Sequence, residues 1–284
     1  MQQPADAKES PVTALYAVFG NPIKHSRSPQ LHQAFAKQLG ESLRYETRQP
    51  PVDDFAGSFH AFVAQEHGLG GNVTVPFKED AMQLADVVSE RARQAGAVNT
   101  LVVGKDGRLY GDNTDGIGLV RDLDRQGISL EGKRVLVLGA GGAVRGILGP
   151  FLSRQPATLM IANRTAAKAQ ALAELFAEQG NVSGGGYEDV TGQWDVVLNG
   201  TSASLSGALP PLPADCLANG AVAYDMVYGA EPTPFMAWAR EHGATISDGL
   251  GMLVEQAAEA YLLWRNKRPD TAPIHAEMRA ALTS

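Results

Sequence analysis

Along most of this chain short apolar runs alternate with longer amphipathic ones, and the period of each run predicts its structure. Leu15 to Phe19 reads as a strand ending in the turn Gly20-Asn21-Pro22. Pro29 suits a first helical turn and Ser28 its cap, so a helix is expected from Gln30 to Leu39. Leu43 to Thr47 and Gly71 to Val75 read as further strands. The stretch Asp53 to Glu66 places Phe55, Phe59, Phe62 and Val63 on one helical face. Helical stretches are expected over Phe77 to Ala85 and around Val88 to Gln94. A hairpin follows, with arms Val98 to Val103 and Arg108 to Tyr110.

Near Asp115 the character changes. Arg134 to Leu138 is a continuous apolar run, as buried parallel strands are. Leu159 to Ala162, Asp195 to Leu198 and Val222 to Asp225 read as strands of the same kind. Helices are expected from the glycine turn after Leu138 to about Leu152 and from Ala166 to Glu178. Beyond Gly249 the chain is helical, apart from a break at Pro269 to Pro273. Strands alternating with helices imply βαβ units and a parallel sheet. Two α/β lobes are therefore expected. An N-terminal lobe covers residues 1–114, its first 12 or so forming a frayed tail. A Rossmann-type lobe covers 115–248. The pattern alone does not assign the helices of 249–284 to either lobe.

Composition narrows the function. Of 284 residues 44% are hydrophobic and 19% charged, enough apolar surface for packed cores. A net charge of -7 disfavours a nucleic-acid partner, which needs a basic face. One cysteine, Cys216, allows no internal disulfide and suits a reducing cytoplasm. With only 6 His beside it, no zinc-type cluster is expected. Met1 to Ser10 is polar, so no signal peptide is expected. No run of about 18 apolar residues marks a membrane span. A homodimer is compatible with the sequence, but no feature encodes oligomeric state.

The strand Arg134 to Leu138 runs straight into Gly139-Ala140-Gly141-Gly142-Ala143 and a helix. Gly139 allows a tight turn, Gly141 a close approach of backbone to a pyrophosphate, and Gly142 with Ala143 a slim helix start whose free N–H groups face an anion. Val144 breaks the strict G-x-G-x-x-G pattern, so a structural turn that binds nothing is the alternative. The next strand ends in Asn163-Arg164-Thr165, where a site for NAD would carry an acid on the ribose. A guanidinium there can fork onto a 2′-phosphate, and Lys168 lies one helical turn on. NADP(H) is expected over NAD(H). The alternative is that Asn163 to Thr165 merely cap a helix.

Three polar clusters lie in the first lobe: Phe19 to Pro29, with Ser26 and Ser28; Gly71-Asn72-Val73-Thr74-Val75-Pro76-Phe77-Lys78; and Asn99-Thr100 followed by Gly111-Asp112-Asn113-Thr114-Asp115-Gly116. Serine hydroxyls beside a helix start can donate to a carboxylate. A lysine can deliver a proton to an alkoxide that forms as hydride reaches a ketone. Each cluster alone could be an ordinary capped turn, and Lys78 beside Glu79 and Asp80 an ordinary solvated lysine.

Together with the glycine turn, and in this order, the clusters resemble the shikimate dehydrogenase family from about Ala14 to Trp264. The resemblance extends through Asn199-Gly200-Thr201-Ser202, Tyr224 to Tyr228, Pro232 to Phe235 and Asp248 to Ala257. Gln33 departs from the family, which usually shows Asn after the His. The resemblance implies that Ser26 and Ser28 hold the substrate carboxylate. It implies that Thr74, Asn99 and Gln256 bond ring hydroxyls, that Tyr228 lines the site, and that Lys78 and Asp115 form the catalytic pair. Thr201, Ser202, Met226, Gly249 and Met252 would flank the cofactor, and the C-terminal helices would return to the substrate lobe. The implied reaction is NADPH-dependent, reversible reduction of 3-dehydroshikimate to shikimate. Three rivals follow: a quinate/shikimate dehydrogenase of broader substrate and cofactor use, a non-catalytic ligand sensor, and a two-lobed dehydrogenase for another small acid.

Overall fold

The computed structural model describes residues 13–203 and 207–283; the expected tail over residues 1–12 lies outside them. The first sheet contains β1 (Ala14–Phe19), β2 (Leu43–Arg48), β3 (Gly70–Val73), β4 (Val87–Val88), β5 (Thr100–Val103) and β6 (Leu109–Asp112). Their spatial order is β2-β1-β3-β5-β6-β4. Strands β1, β2 and β3 are parallel, whereas β5 runs antiparallel to both β3 and β6. Helices α1 (Ser28–Leu39), α2 (Phe55–Glu66), α3 (Lys78–Leu84) and α4 (Glu90–Ala95) connect these strands. Phe55, Phe59 and Phe62 of α2 meet Phe19 of β1, so the predicted aromatic face is the face that is buried.

The second sheet contains β7 (Arg134–Leu138), β8 (Thr158–Ala162), β9 (Val182–Gly185), β10 (Trp194–Asn199), β11 (Leu217–Asp225) and β12 (Thr245–Asp248). All its neighbours are parallel, in the order β12-β11-β10-β7-β8-β9. Counted from β7 as the first strand, this is the doubly wound 3-2-1-4-5-6 order, which reverses between β7 and β10. Val135 to Leu138 are fully buried, as a central parallel strand covered on both faces requires. Helices α6 (Gly142–Leu152), α7 (Ala166–Phe176) and α8 (Pro234–Glu241) flank this sheet. Among the described residues no helix is long and apolar enough to cross a membrane.

Two helices join the sheets. Helix α5 (Asp115–Arg125) carries the chain out of the first sheet, and α9 (Leu250–Arg265) returns it, followed by α10 (Ala272–Thr283). Helix α9 packs with α10 on α1 through Leu31, Phe35, Val254, Ala257, Tyr261 and Met278. Trp264 stacks on Tyr16 at 4.5 Å and donates to the Leu101 carbonyl at 2.9 Å. Glu41 accepts from Tyr261, Arg265 and Lys267, which pins the end of α9 to the first lobe. Helices α5 and α9 cross with backbones nearly touching. A Cβ on Gly118 would sit 2.6 Å from the Gln256 backbone nitrogen, so only glycine fits there.

The pattern missed elements at the edges and at the joint. Strands β9 and β12 were not expected, nor was β4, where Val88 was expected to begin a helix, nor were α5 and α8, although Thr233 caps α8 by accepting from Met236 N at 3.3 Å with Pro234 behind it. Helix α1 begins at Ser28, and Arg27 holds the cap position, so Ser28 is not the cap. The Ser26 hydroxyl instead accepts the Ser28 N–H at 3.3 Å.

Candidate active site

The three polar clusters converge on one cavity of about 440 Å³. It opens where the ends of β1 and β3 and the start of β5 face the starts of α5 and α9. All the residues expected to handle substrate line it: Ser26, Ser28, Thr74, Lys78, Asn99, Asp115, Tyr228 and Gln256. Thr74 follows the end of β3, Asn99 precedes the start of β5, Ser28, Lys78 and Asp115 open helices, and Gln256 reaches in from the second turn of α9.

Lys78 opens α3, and Asp115 opens α5. Lys78 Nζ donates to Asp115 Oδ2 at 2.6 Å, and both side chains are partly buried. Lys78 therefore pairs with a residue 37 positions away rather than with adjacent Glu79 or Asp80. The other Asp115 oxygen accepts from Asn99 Nδ2 at 2.8 Å. Asn99 is itself buried, and its Oδ1 accepts from Thr114 N at 2.9 Å. Gln256 enters from α9, with Oε1 3.4 Å from the Thr114 hydroxyl. At the other end Ser26 and Ser28 sit at the N-terminus of α1, whose dipole favours an anion. The Ser28 hydroxyl lies against Tyr45, whose phenol is held protonated, well above its ordinary pKa, by burial. Burial likewise raises the Tyr228 phenol, with the charge of Arg27 opposing it.

The nucleotide side is open. Gly139 has φ +103°, and a Cβ there would sit 3.2 Å from the Gly200 carbonyl and the Thr201 methyl. The glycine turn and the Thr201-Ser202 loop therefore adjoin at the point where strand order reverses, the place where doubly wound sheets bind nucleotides. Gly141, Gly142 and Ala143 are exposed. A Cβ on Gly141 or Gly142 would meet nothing within 4 Å, and no side chain caps α6. Packing does not demand glycine there, whereas an anion against free N–H groups would. Arg164 and Lys168 are exposed and, among the described residues, have no ion-pair partner. Thr165 holds the cap position of α7 but makes no capping hydrogen bond; Asn163 Nδ2 donates to its carbonyl at 3.0 Å. Helix capping alone therefore does not account for Asn163-Arg164-Thr165. Met226, Gly249 and Met252 line the same cavity as the substrate residues, so the two halves of the site are contiguous there.

Sequence reasoning gave no role to Asn72 or Thr100. Both are buried, Asn72 in the cavity wall and Thr100 behind it, and both bond to residues far along the chain. An asparagine between Gly71 and Val73 in a buried strand was the available signal, since a buried amide must find partners. It gave none to Arg27, His25 and Leu253 either, which also line the cavity. Among the described residues no cluster of His, Cys, Asp and Glu is placed to hold a metal.

A cavity with a paired lysine and carboxylate beside an open glycine turn, with one sheet on each side, defines a two-lobed nucleotide-dependent dehydrogenase. Residues 18–101 match the shikimate dehydrogenase substrate binding domain, residues 122–206 shikimate / quinate 5-dehydrogenase, and residues 249–279 the shikimate 5'-dehydrogenase C-terminal domain. The chain belongs to the shikimate dehydrogenase family. It is 61% identical over 267 residues to a shikimate dehydrogenase (NADP(+)) of Chromohalobacter salexigens, covering 94% of this chain and 98% of that one. An Ael1 enzyme from Pseudomonas putida superposes with a TM-score of 0.88 at 48% identity, covering 95% of this chain and 98% of the other. The shikimate 5-dehydrogenase of Thermus thermophilus, solved with NADP(H) and shikimate, gives 0.84 at 33% identity over 95% and 100% of the two chains.

Proposed function

We propose that the protein reduces 3-dehydroshikimate to shikimate, reversibly, with NADPH as reductant. Residues 1–114 together with 249–284 form the substrate unit and 115–248 the cofactor unit. The observation that carries the reading is the Lys78–Asp115 pair at 2.6 Å, in a cavity whose far end presents Ser26 and Ser28 at a helix N-terminus. One end takes a carboxylate and the other handles a proton, which is the polarity of a carboxylated ring ketone.

When bound, the cofactor would supply the hydride for the ketone carbon. Gly139 to Ala143 would hold its pyrophosphate on the N–H groups of α6, and Asn163, Arg164, Thr165 and Lys168 its 2′-phosphate. Thr201, Ser202, Met226, Gly249 and Met252 would flank the nicotinamide end. Ser26 and Ser28 bind the substrate carboxylate, and Thr74, Asn99 and Gln256 orient the ring hydroxyls, with Tyr228 closing the site. Lys78 gives its Nζ proton to the carbonyl oxygen as charge develops there. Asp115 accepts from Lys78 and keeps its ammonium aimed into the cavity. In the oxidative direction the same lysine takes the hydroxyl proton. A cytoplasmic setting suits the single, buried Cys216.

The test is nicotinamide absorbance on the purified protein, with shikimate or quinate and with NADP+ or NAD+. Shikimate with NADP+ is expected to give the highest kcat/KM. Equal or better rates with quinate or NAD+ would favour the broader quinate/shikimate reading, and no turnover on any pairing would favour a ligand sensor.

A further inference from the structure

Along the cavity floor runs a chain of hydrogen bonds that all point toward Asp115. Tyr45 Oη donates to Asn72 Oδ1 at 2.7 Å. Asn72 Nδ2 donates to Thr100 Oγ1 at 3.1 Å. Thr100 Oγ1 donates to Asn99 Oδ1 at 2.8 Å. Asn99 Nδ2 donates to Asp115 Oδ1 at 2.8 Å, and Lys78 Nζ reaches Asp115 Oδ2 at 2.6 Å.

Groups that cannot reverse fix the direction. The Asn99 backbone carbonyl, an acceptor only, takes a bond from Asn72 Nδ2 at 3.3 Å, so the Asn72 oxygen faces the other way. The Thr114 backbone N–H, a donor only, points at Asn99 Oδ1 at 2.9 Å, so the Asn99 amine faces Asp115. Thr100 has a single hydroxyl proton. Because Asn72 donates to its oxygen, that proton is free to go to Asn99. His32, stacked on Tyr45 at 4.2 Å, adds a bond from Nε2 to Asn72 Oδ1 at 3.1 Å. That bond is a donor because the amide oxygen can only accept. His32, Asn72, Asn99, Thr100 and Tyr45 are all buried, so bulk water competes poorly for these bonds.

The amide of Asn72 is thus used up internally: its oxygen accepts twice and its nitrogen donates twice, although the residue borders the cavity. We propose that Asn72 and Thr100 are positioning residues which lock the Asn99 amide, and through it the Asp115–Lys78 pair, in the orientation that proton transfer needs. Without the Thr100 hydroxyl the Asn99 oxygen keeps only its bonds from Thr114, the backbone N–H at 2.9 Å and the hydroxyl at 3.2 Å. A less firmly held amide would grip Asp115 less tightly and loosen its pairing with Lys78. The chain starts at Tyr45, against Ser28, so it spans the floor from the carboxylate end of the cavity to the proton-transfer end.

This inference rests on the dehydrogenase reading above, and the test separates the two. Wild type, Thr100→Val, Thr100→Ser and Tyr45→Phe are compared by steady-state kinetics with shikimate and NADP+, with thermal unfolding of each as a control. Thr100→Val is expected to lower kcat about tenfold, the loss of one buried hydrogen bond near charge, with KM for NADP+ unchanged. Thr100→Ser restores the hydroxyl and should restore kcat. Tyr45→Phe leaves His32 to hold Asn72 and should fall between them. A Thr100→Val enzyme with wild-type kcat overturns the proposal. So does a loss that serine fails to rescue, or one that raises both KM values and tracks a lowered melting temperature. A wild type inert toward shikimate refutes the dehydrogenase reading and the positioning role with it.

Discussion

The two halves of the site are built on opposite plans. On the substrate side the polar groups are committed to one another: Lys78 to Asp115, Asp115 to Asn99, Asn99 to Thr114 and Thr100, Asn72 to Tyr45 and His32. On the nucleotide side the working groups face solvent: the turn Gly141 to Ala143, the uncapped start of α6, Arg164 and Lys168. A small substrate offers few contacts, so its site must be arranged beforehand. A dinucleotide offers pyrophosphate and 2′-phosphate charges to organise groups that wait in water. The contrast teaches that substitutions on the first side should act on turnover and orientation, and those on the second mainly on cofactor affinity.

The largest effect should come from the committed side. Lys78→Ala is expected to lower kcat by about 10²–10⁴-fold while KM for shikimate stays close to wild type. Turnover that survives intact would remove Lys78 from the proton-transfer role. On the open side Arg164→Ala should raise KM for NADP+ roughly ten- to hundredfold, the cost of a charge-assisted contact, and leave both KM for shikimate and the KM for NAD+ nearly unchanged. An equal loss with both nucleotides would place Arg164 elsewhere than at the 2′-phosphate. Smaller still, Ser28→Ala should raise KM for shikimate about tenfold with little change in cofactor affinity. A drop in kcat with unaltered KM would instead assign Ser28 to the hydrogen-bonded floor.

The smallest effect is on stability. Burial lowers the pKa of His32 from 6.5 to about 3, against the opposing effect of its bond to the Asn72 oxygen. Its folded value is depressed, so the unfolded chain takes up the proton first as pH falls. The stability of the neutral, buried ring is complete above about pH 6.5 and is lost between there and about pH 3. The slope is at most roughly 1.4 kcal/mol per pH unit. Denaturant titrations at several pH values should show a shallower acid limb in His32→Gln; an unchanged limb would put the acid sensitivity in other groups.

Much of this architecture is legible in the sequence, and what is not legible has physical causes. The central strand β7 is one apolar run because both its faces are covered. Strand β9 escapes because an edge strand of Val182-Ser183-Gly184-Gly185 has little apolar character to betray it. Strand β12 is likewise an edge, and Ile246 is its one apolar residue. Helix α8 carried its start signal in Thr233-Pro234, which was read as part of a motif and not as a cap. The residues lining the cavity were found as clusters, because strand-end and helix-start motifs are local in sequence. The floor beneath them was not, since the partners of Asn72 lie 27 to 40 residues away and no spacing rule links them.

The contrast between a pre-built substrate side and a ligand-completed nucleotide side is tested most directly by a crystal structure of the complex with NADP+ and shikimate. The account predicts that Tyr45, Asn72, Asn99, Thr100 and the Lys78–Asp115 pair keep their positions to within about 1 Å, while Arg164, Lys168 and the Thr201-Ser202 loop close on the nucleotide. A complex in which the floor residues exchange partners to receive shikimate, while the nucleotide meets groups already in place, would contradict it.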